Sequence, residues 1–175
     1  MMKIAVWSGD LSDSYLRKVA QLGVDCIDFN RGDCFPGVKE RGYPDLDAVL
    51  KIKKKLRRFG LEINRVTLPD ITEKFMKDKK DGERELKNTC EALKVFGEAG
   101  IPLARQRFAG STFNHLMTRY ESRHRGGYLS RGEILGLTRD KLSIPTLEEI
   151  EDWWEHFRRV YEHLVPIAED YDVKL

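Results

Sequence analysis

An α/β fold of parallel strands under outer helices, about one half of a (β/α) TIM-type barrel, is predicted by three observations. Three junctions, Leu22-Gly23-Val24, Phe59-Gly60-Leu61 and Ala99-Gly100-Ile101, each set a helix-terminating glycine directly before an apolar strand. They recur 37 and then 40 residues apart, which fits one strand, one helix and their connections and implies parallel strands joined by helical crossovers. The 175 residues hold four such units and the start of a fifth strand, whereas an eight-stranded barrel typically takes about 250 residues.

Lys3 to Trp7 supplies the first strand. Ser12 or Asp13 caps a helix that places Leu16, Val19 and Ala20 on one face and stops at Gly23. Val24 to Phe29 is the second strand, followed by a loop of turn formers from Asn30 to Gly37. After Pro44 a second helix carries Val49, Ile52, Leu56 and Phe59 at helical spacing, and Leu61 to Leu68 is the third strand. A polar loop opens at Pro69. The third helix, Gly82 to Ala99, sets Leu86, Cys90 and Leu93 on one side, and the fourth strand lies in Ile101 to Gly110.

An insertion at 111–144 then interrupts the period, with Gly126-Gly127 suited to a hairpin turn. Thr146 and Glu149 form a capping box for the last helix, whose apolar stripe runs through Leu147, Ile150, Trp154, Phe157, Tyr161, Leu164, Ala168 and Tyr171. Pro166 is expected to kink or break it near its end. Asp172 to Leu175 begins a fifth strand, and residues 1–175 read as one domain.

A hydrophobic content of 41% with 34% charged residues is enough for a buried core. No apolar run approaches the roughly 20 residues that span a bilayer, and the start is too short in its apolar part for a signal peptide, so a cytoplasmic protein without a membrane partner is expected. Cys26, Cys34 and Cys90 show no CxxC spacing, which indicates neither a zinc cluster nor a disulfide framework; Cys26 and Cys90 are expected as buried thiols. A net charge of +2 with both signs interspersed gives no general case for nucleic acid.

Arg105 and Arg107, two apart, share one face of the fourth strand. Burying an unpaired guanidinium is costly, so they need internal carboxylates or an anionic ligand at the strand end, and the residues leave both open. Barrel active sites lie at the C-terminal ends of strands, which makes Trp7, Asn30, Arg31, Arg65, Thr67 and Arg107 the candidate substrate-binding residues, with Ser8 beside them. Asp28, Arg65 and Arg105 have the charges to neutralise one another, and Asp28 and Arg105 are read as structurally paired. In the insertion, His115, Arg123, His124 and Arg125 are lid candidates; a partner contact, a solvated loop or single-stranded nucleic acid are the alternatives for that basic, tyrosine-spotted run. His156 and His163, seven apart, are too widely spaced for one metal ion and are expected as solvated or rim residues.

The run from Tyr43 to Asn64, the insertion after strand four, and above all Glu162 to Leu175, with Leu164-Val165-Pro166-Ile167-Ala168-Glu169 leading into strand five, resemble mannonate dehydratase, of the xylose-isomerase-like group of metal-dependent barrels. The resemblance covers the chain and the first half of the family's length. It implies dehydration of D-mannonate, a small acidic sugar of hexuronate catabolism, to 2-keto-3-deoxygluconate with a divalent ion, manganese. It further implies metal ligands from strand five onward, so that this chain carries none and is inactive alone. Arg107 stands where the resemblance places a polar substrate contact that is commonly asparagine, a departure in this sequence. A sugar isomerase or epimerase of the same group is the alternative enzyme. A non-catalytic half-barrel that assembles with a partner, or as a homo-oligomer through its first and fifth strands, is the alternative of another class. The basic run Lys51 to Arg58 prompts a DNA-repair nuclease of related barrel type, but its apolar residues place it on an ordinary outer helix. The sequence does not name the catalytic base.

Overall fold

The computed structural model describes residues 2–108, 119–127, 129–133 and 145–175. Strands β1 (Ala5–Trp7), β2 (Cys26–Asp28), β3 (Glu62–Thr67) and β4 (Leu103–Arg105) form a parallel sheet in sequential order. Their crossovers carry α1 (Asp13–Gln21), α3 (Leu46–Arg57) and α5 (Gly82–Glu98), the helices that the periodicity predicts. The three junction glycines, Gly23, Gly60 and Gly100, take φ of 81°, 75° and 64°, a left-handed turn that a side chain disfavours and that reverses each helix into the next strand. Two single-turn helices add to these: α2 (Val38–Arg41), between the loop that ends at Gly37 and Pro44, and α4 (Glu73–Met76), inside the polar segment read as a loop.

Beyond β4, Leu103 bridges Lys174 in parallel; the Ala104 amide donates to the Lys174 carbonyl at 2.8 Å and the Lys174 amide to the Pro102 carbonyl at 3.0 Å. The expected fifth strand therefore starts on the free side of β4. In the insertion, β5 (Arg119–Arg123) and β6 (Leu129–Glu133) pair antiparallel, with Gly126 and Gly127 both at positive φ in the turn.

The core occupies one face of the sheet. Ile27, Val66, Leu68 and Ala104 are buried there under Leu16, Val49, Leu56, Leu93, Phe96, Val160 and Leu164. Phe35 links the loop after β2 to α5, its ring centroid 4.8 Å from Phe29 and 5.0 Å from Phe96. The other face carries Trp7, Asp28, Glu62, Arg65 and Arg105, none of them fully buried. Of the cysteines, Cys26 is buried, Cys90 is only half-buried and Cys34 is exposed.

The last helix, α6 (Leu147–Asp170), has its capping box but departs from expectation in two ways. Pro166 does not end it. The proline sits exposed near the C-terminus, where water can satisfy the carbonyl that loses its donor. The buried face also differs: it follows the four-apart row His156, Val160, Leu164 and Ala168, while Leu147 is 80% and Trp154 69% exposed. Packing of that row against α5 and α4 selects it over the three-and-four stripe. His156, expected in solvent, is consequently buried. Its Nδ1 lies 2.8 Å from the Asp152 carbonyl, its Nε2 3.3 Å from Asp78, and its ring edge-on to Phe75. His163 is exposed. Among the described residues, no helix is long and apolar enough to cross a membrane.

Candidate functional site at the strand ends

The C-terminal ends of β1 to β4 bring Trp7, Asn30, Thr67 and Arg105 to one end of the sheet. Thr67 and Arg105 are register partners, and Arg65 lies two residues back on β3, opposite Leu103. Between β2 and β3 the register shifts after Ile27, so that Ile27 opposes Ile63 and Asp28 opposes Arg65. Asn64 is the extra residue of this bulge. Both it and Arg65 reach the same carboxylate, Asn64 Nδ2 donating to one oxygen of Asp28 at 3.0 Å and Arg65 lying 3.3 Å from the other.

Asp28 is thereby engaged, and the expected pairing of Asp28 with Arg105 does not form. The guanidinium of Arg105 instead donates through Nη2 to the Asn30 side-chain oxygen, and at 3.4 Å to both the Asn30 carbonyl and Thr67 Oγ1. Thr67 spends its proton on the Phe29 carbonyl at 2.9 Å, which leaves its lone pairs to Arg105. Every one of these partners is neutral. The Nε atoms of Arg65 and Arg105 are buried and have no hydrogen-bond partner. Burial, then the charges of Arg65 and Arg107, lower the Arg105 pKa from its ordinary value, although a guanidinium stays charged at neutral pH.

At the rim the arginines are matched. Arg107 makes a two-pronged contact with Asp70 at 2.9 and 2.6 Å, and Arg31 with Asp33 at 2.9 and 2.5 Å. Each hydrogen-bonded carboxylate raises the pKa of its arginine, and Arg31 holds the Asp33 carboxyl below its usual range. The two pairs flank a cleft of about 350 Å³. Gln106 braces it from beneath: its Oε1 accepts from Thr89 Oγ1 at 2.6 Å, and its Nε2 donates to the Pro69 and Arg107 carbonyls at 3.1 and 2.9 Å. Gly32 keeps the loop after β2 seated on β3, because a Cβ there would overlap the Leu68 carbonyl.

The structure thus gathers Asn30, Arg65 and Thr67 around Arg105, sets Arg31 and Arg107 on the flanking cleft, and leaves Trp7 61% exposed on the open face. Of the lid candidates, Arg123, His124 and Arg125 are exposed at the hairpin end; His115 lies outside the described residues. Sequence reasoning missed Asp33, Asp70 and Gln106. Asp33, two residues from Arg31, was within reach of inspection; Asp70 and Arg107 are 37 residues apart and carry no local signal. Among the described residues, no group of three or more His, Cys, Asp or Glu side chains converges to hold a metal ion.

Fold and site define a class, about half of a (β/α) barrel with a polar face at the C-terminal strand ends. Among solved structures, the mannonate dehydratase of Streptococcus suis serotype 2 is similar, with a TM-score of 0.73 and 21% identity over 99% of this chain and 52% of that one. The D-psicose 3-epimerase of Clostridium cellulolyticum H10, solved with D-tagatose, gives a TM-score of 0.55 and 15% identity over 98% and 50% of the two chains. The present chain spans about half the length of both solved chains. No family model and no curated protein matches the sequence.

Proposed function

We propose that this chain is the N-terminal half of a metal-dependent dehydratase of an aldonic acid, converting D-mannonate to 2-keto-3-deoxygluconate. The observation that carries the reading is Arg105, a half-buried guanidinium with neutral partners only, at the end of a sheet where this fold places substrates. An aldonate brings a carboxylate to such a group. Its α-proton is weakly acidic, and removal needs cationic or hydrogen-bonding stabilisation of the developing enediolate, which forked arginine donors supply. Exposed Trp7 offers an apolar ring for the carbon face of the sugar, Asn30 a polar contact at the same strand end, and Arg123, His124 and Arg125 a cover for the mouth.

Manganese belongs to the resemblance. The described residues do not form a site for it, and in this reading the catalytic base comes from the segment that completes the barrel. Among the described residues β1 is an edge strand of the sheet, and with exposed Ile4 and Trp7 it is a surface for association, with a second copy or with a completing half. A second reading, an isomerase or epimerase of the same barrel group, draws on the likeness to the psicose epimerase fold.

The test is product analysis after incubating the purified protein with manganese and D-mannonate, and in parallel with D-tagatose, while native mass is recorded. A 2-keto-3-deoxy acid made only by an assembled species is expected. Full turnover by a monomer of this chain contradicts the division of labour, and an epimerised ketose without dehydration moves the assignment to the second reading.

A further inference from the structure

A second cleft lies at the opposite end of the sheet, where the strands begin. Lys3 before β1, Cys26 and Glu62 at the starts of β2 and β3, Lys53 and Arg57 on α3, and the Gly100 turn before β4 surround a space of about 200 Å³. Three of these side chains are cations and one is a carboxylate. Glu62 is taken by Lys3, whose Nζ lies 2.6 Å from it. Lys53 donates to the Ala99 carbonyl and, at 3.2 Å, to the Gly100 carbonyl, at the end of α5. Among the described residues neither Lys53 nor Arg57 forms an ion pair with a carboxylate. They stand four residues apart on α3, so two like charges are neighbours. Burial, then the Arg57 charge, push the Lys53 pKa down from its ordinary value. All three cations are within reach of a ligand, because the Lys3 side chain is 57% exposed, Arg57 is exposed and Lys53 half-buried.

We propose that Lys3, Lys53 and Arg57 form a binding site for one phosphate group, as the free ion or as a phosphomonoester. The site stands whether or not the C-terminal strand ends take a sugar acid. Three cations and one carboxylate leave two positive charges to be met, and a phosphate group carries about −1.5 to −2 near neutral pH. A monocarboxylate would leave one of them unmet. Donors are also in supply: Arg57 offers its whole fork, Lys3 spends one of its three N–H groups on Glu62, and Lys53 spends two of its three on the α5 carbonyls. A phosphate set among them turns the repulsion between Lys53 and Arg57 into a shared contact and ties α3 to the strand starts. The space is smaller than the roughly 300 Å³ at which pockets for whole small molecules begin, so it suits a single phosphate group with any ester chain left in solvent.

Calorimetric titration of the purified chain with inorganic phosphate, glycerol 3-phosphate or acetate, near neutral pH and at constant ionic strength, tests this. Phosphate is expected to saturate a single site and acetate to bind at least about tenfold more weakly. Glycerol 3-phosphate as tight as the free ion assigns the site to phosphomonoesters, and an ester about tenfold weaker assigns it to the free ion; both results support a phosphate site. Arg57→Gln is expected to weaken phosphate about tenfold, the loss of a charge-assisted hydrogen bond. Arg58→Gln, the next residue, exposed and outside the cleft, is expected to stay within about twofold, because its charge is screened. Glu62→Gln removes the opposing carboxylate and is expected to tighten phosphate about threefold, a gain that a variant failing to fold would not give. No saturation up to tens of millimolar phosphate overturns the proposal, as does acetate binding as tightly as phosphate. Equal losses from Arg57→Gln and Arg58→Gln, weaker binding by Glu62→Gln, or a loss that follows Arg105→Gln in place of Arg57→Gln would overturn it too.

Discussion

The two faces of the sheet are built from the same short strands to opposite ends. Ile27, Val66 and Ala104 point into a dry layer of leucine, phenylalanine and valine from the helices. Their neighbours Asp28, Arg65 and Arg105 stand on the other side, half-buried, in charge pairs and hydrogen bonds. Parallel sheets are usually covered on both faces. Here one face is a dry core and the other is polar, and alternation along a strand is all that separates them.

Breaking the dry face should have the largest effect. Phe96 is fully buried and packs edge-on to Phe35, so Phe96→Ala is expected to cost about 3–5 kcal/mol in urea denaturation. A loss below about 1 kcal/mol would mean that the helices are loosely docked. Next comes the brace beneath the rim. Gln106→Leu leaves Thr89 Oγ1 and the Pro69 carbonyl without their partner and is expected to cost about 1–3 kcal/mol, whereas combining it with Thr89→Val should recover part of the loss by removing one stranded group. Thr146→Ala removes the N-cap of α6 and its bond to the Glu149 amide, with an expected loss of about 1 kcal/mol in the same assay.

The smallest effect belongs to the exposed end of the open face. Lys3 donates to Glu62 at 2.6 Å and holds that carboxyl below its ordinary 4.5. A depressed carboxyl pKa stabilises the fold above the unfolded value, and the contribution is lost as pH falls through the lowered one. Lys3→Gln should therefore lower the melting temperature slightly above about pH 5 and not at all near pH 3, by less than Thr146→Ala does, because both groups are solvent-screened. A larger difference at the acid end would reverse the sign and contradict the pairing.

Much of the fold was legible because it is written locally. The glycines at 23, 60 and 100 announce each helix-to-strand reversal, and Thr146 with Glu149 announces the start of α6. Features that depend on packing between distant segments were not. Nothing in Cys26 to Asp28 or Glu62 to Thr67 signals the bulge that turns Asn64 and Arg65 together onto Asp28, and with it the choice of Arg65 over Arg105 as the partner. The same holds for α6, where contact with α4 and α5 buries His156 and leaves Trp154 outside. Barrel geometry placed the candidate residues at the C-terminal end of the sheet, while the pairing among the four arginines depended on Asp28, Asp33 and Asp70.

The most direct test of the account is a crystal structure of the protein soaked with D-mannonate. The account predicts the sugar acid at the C-terminal strand ends, its carboxylate within hydrogen-bond distance of Arg105 and its carbon chain over Trp7. A carboxylate seated between Arg31 and Arg107, or at the opposite end of the sheet near Lys3, would contradict it.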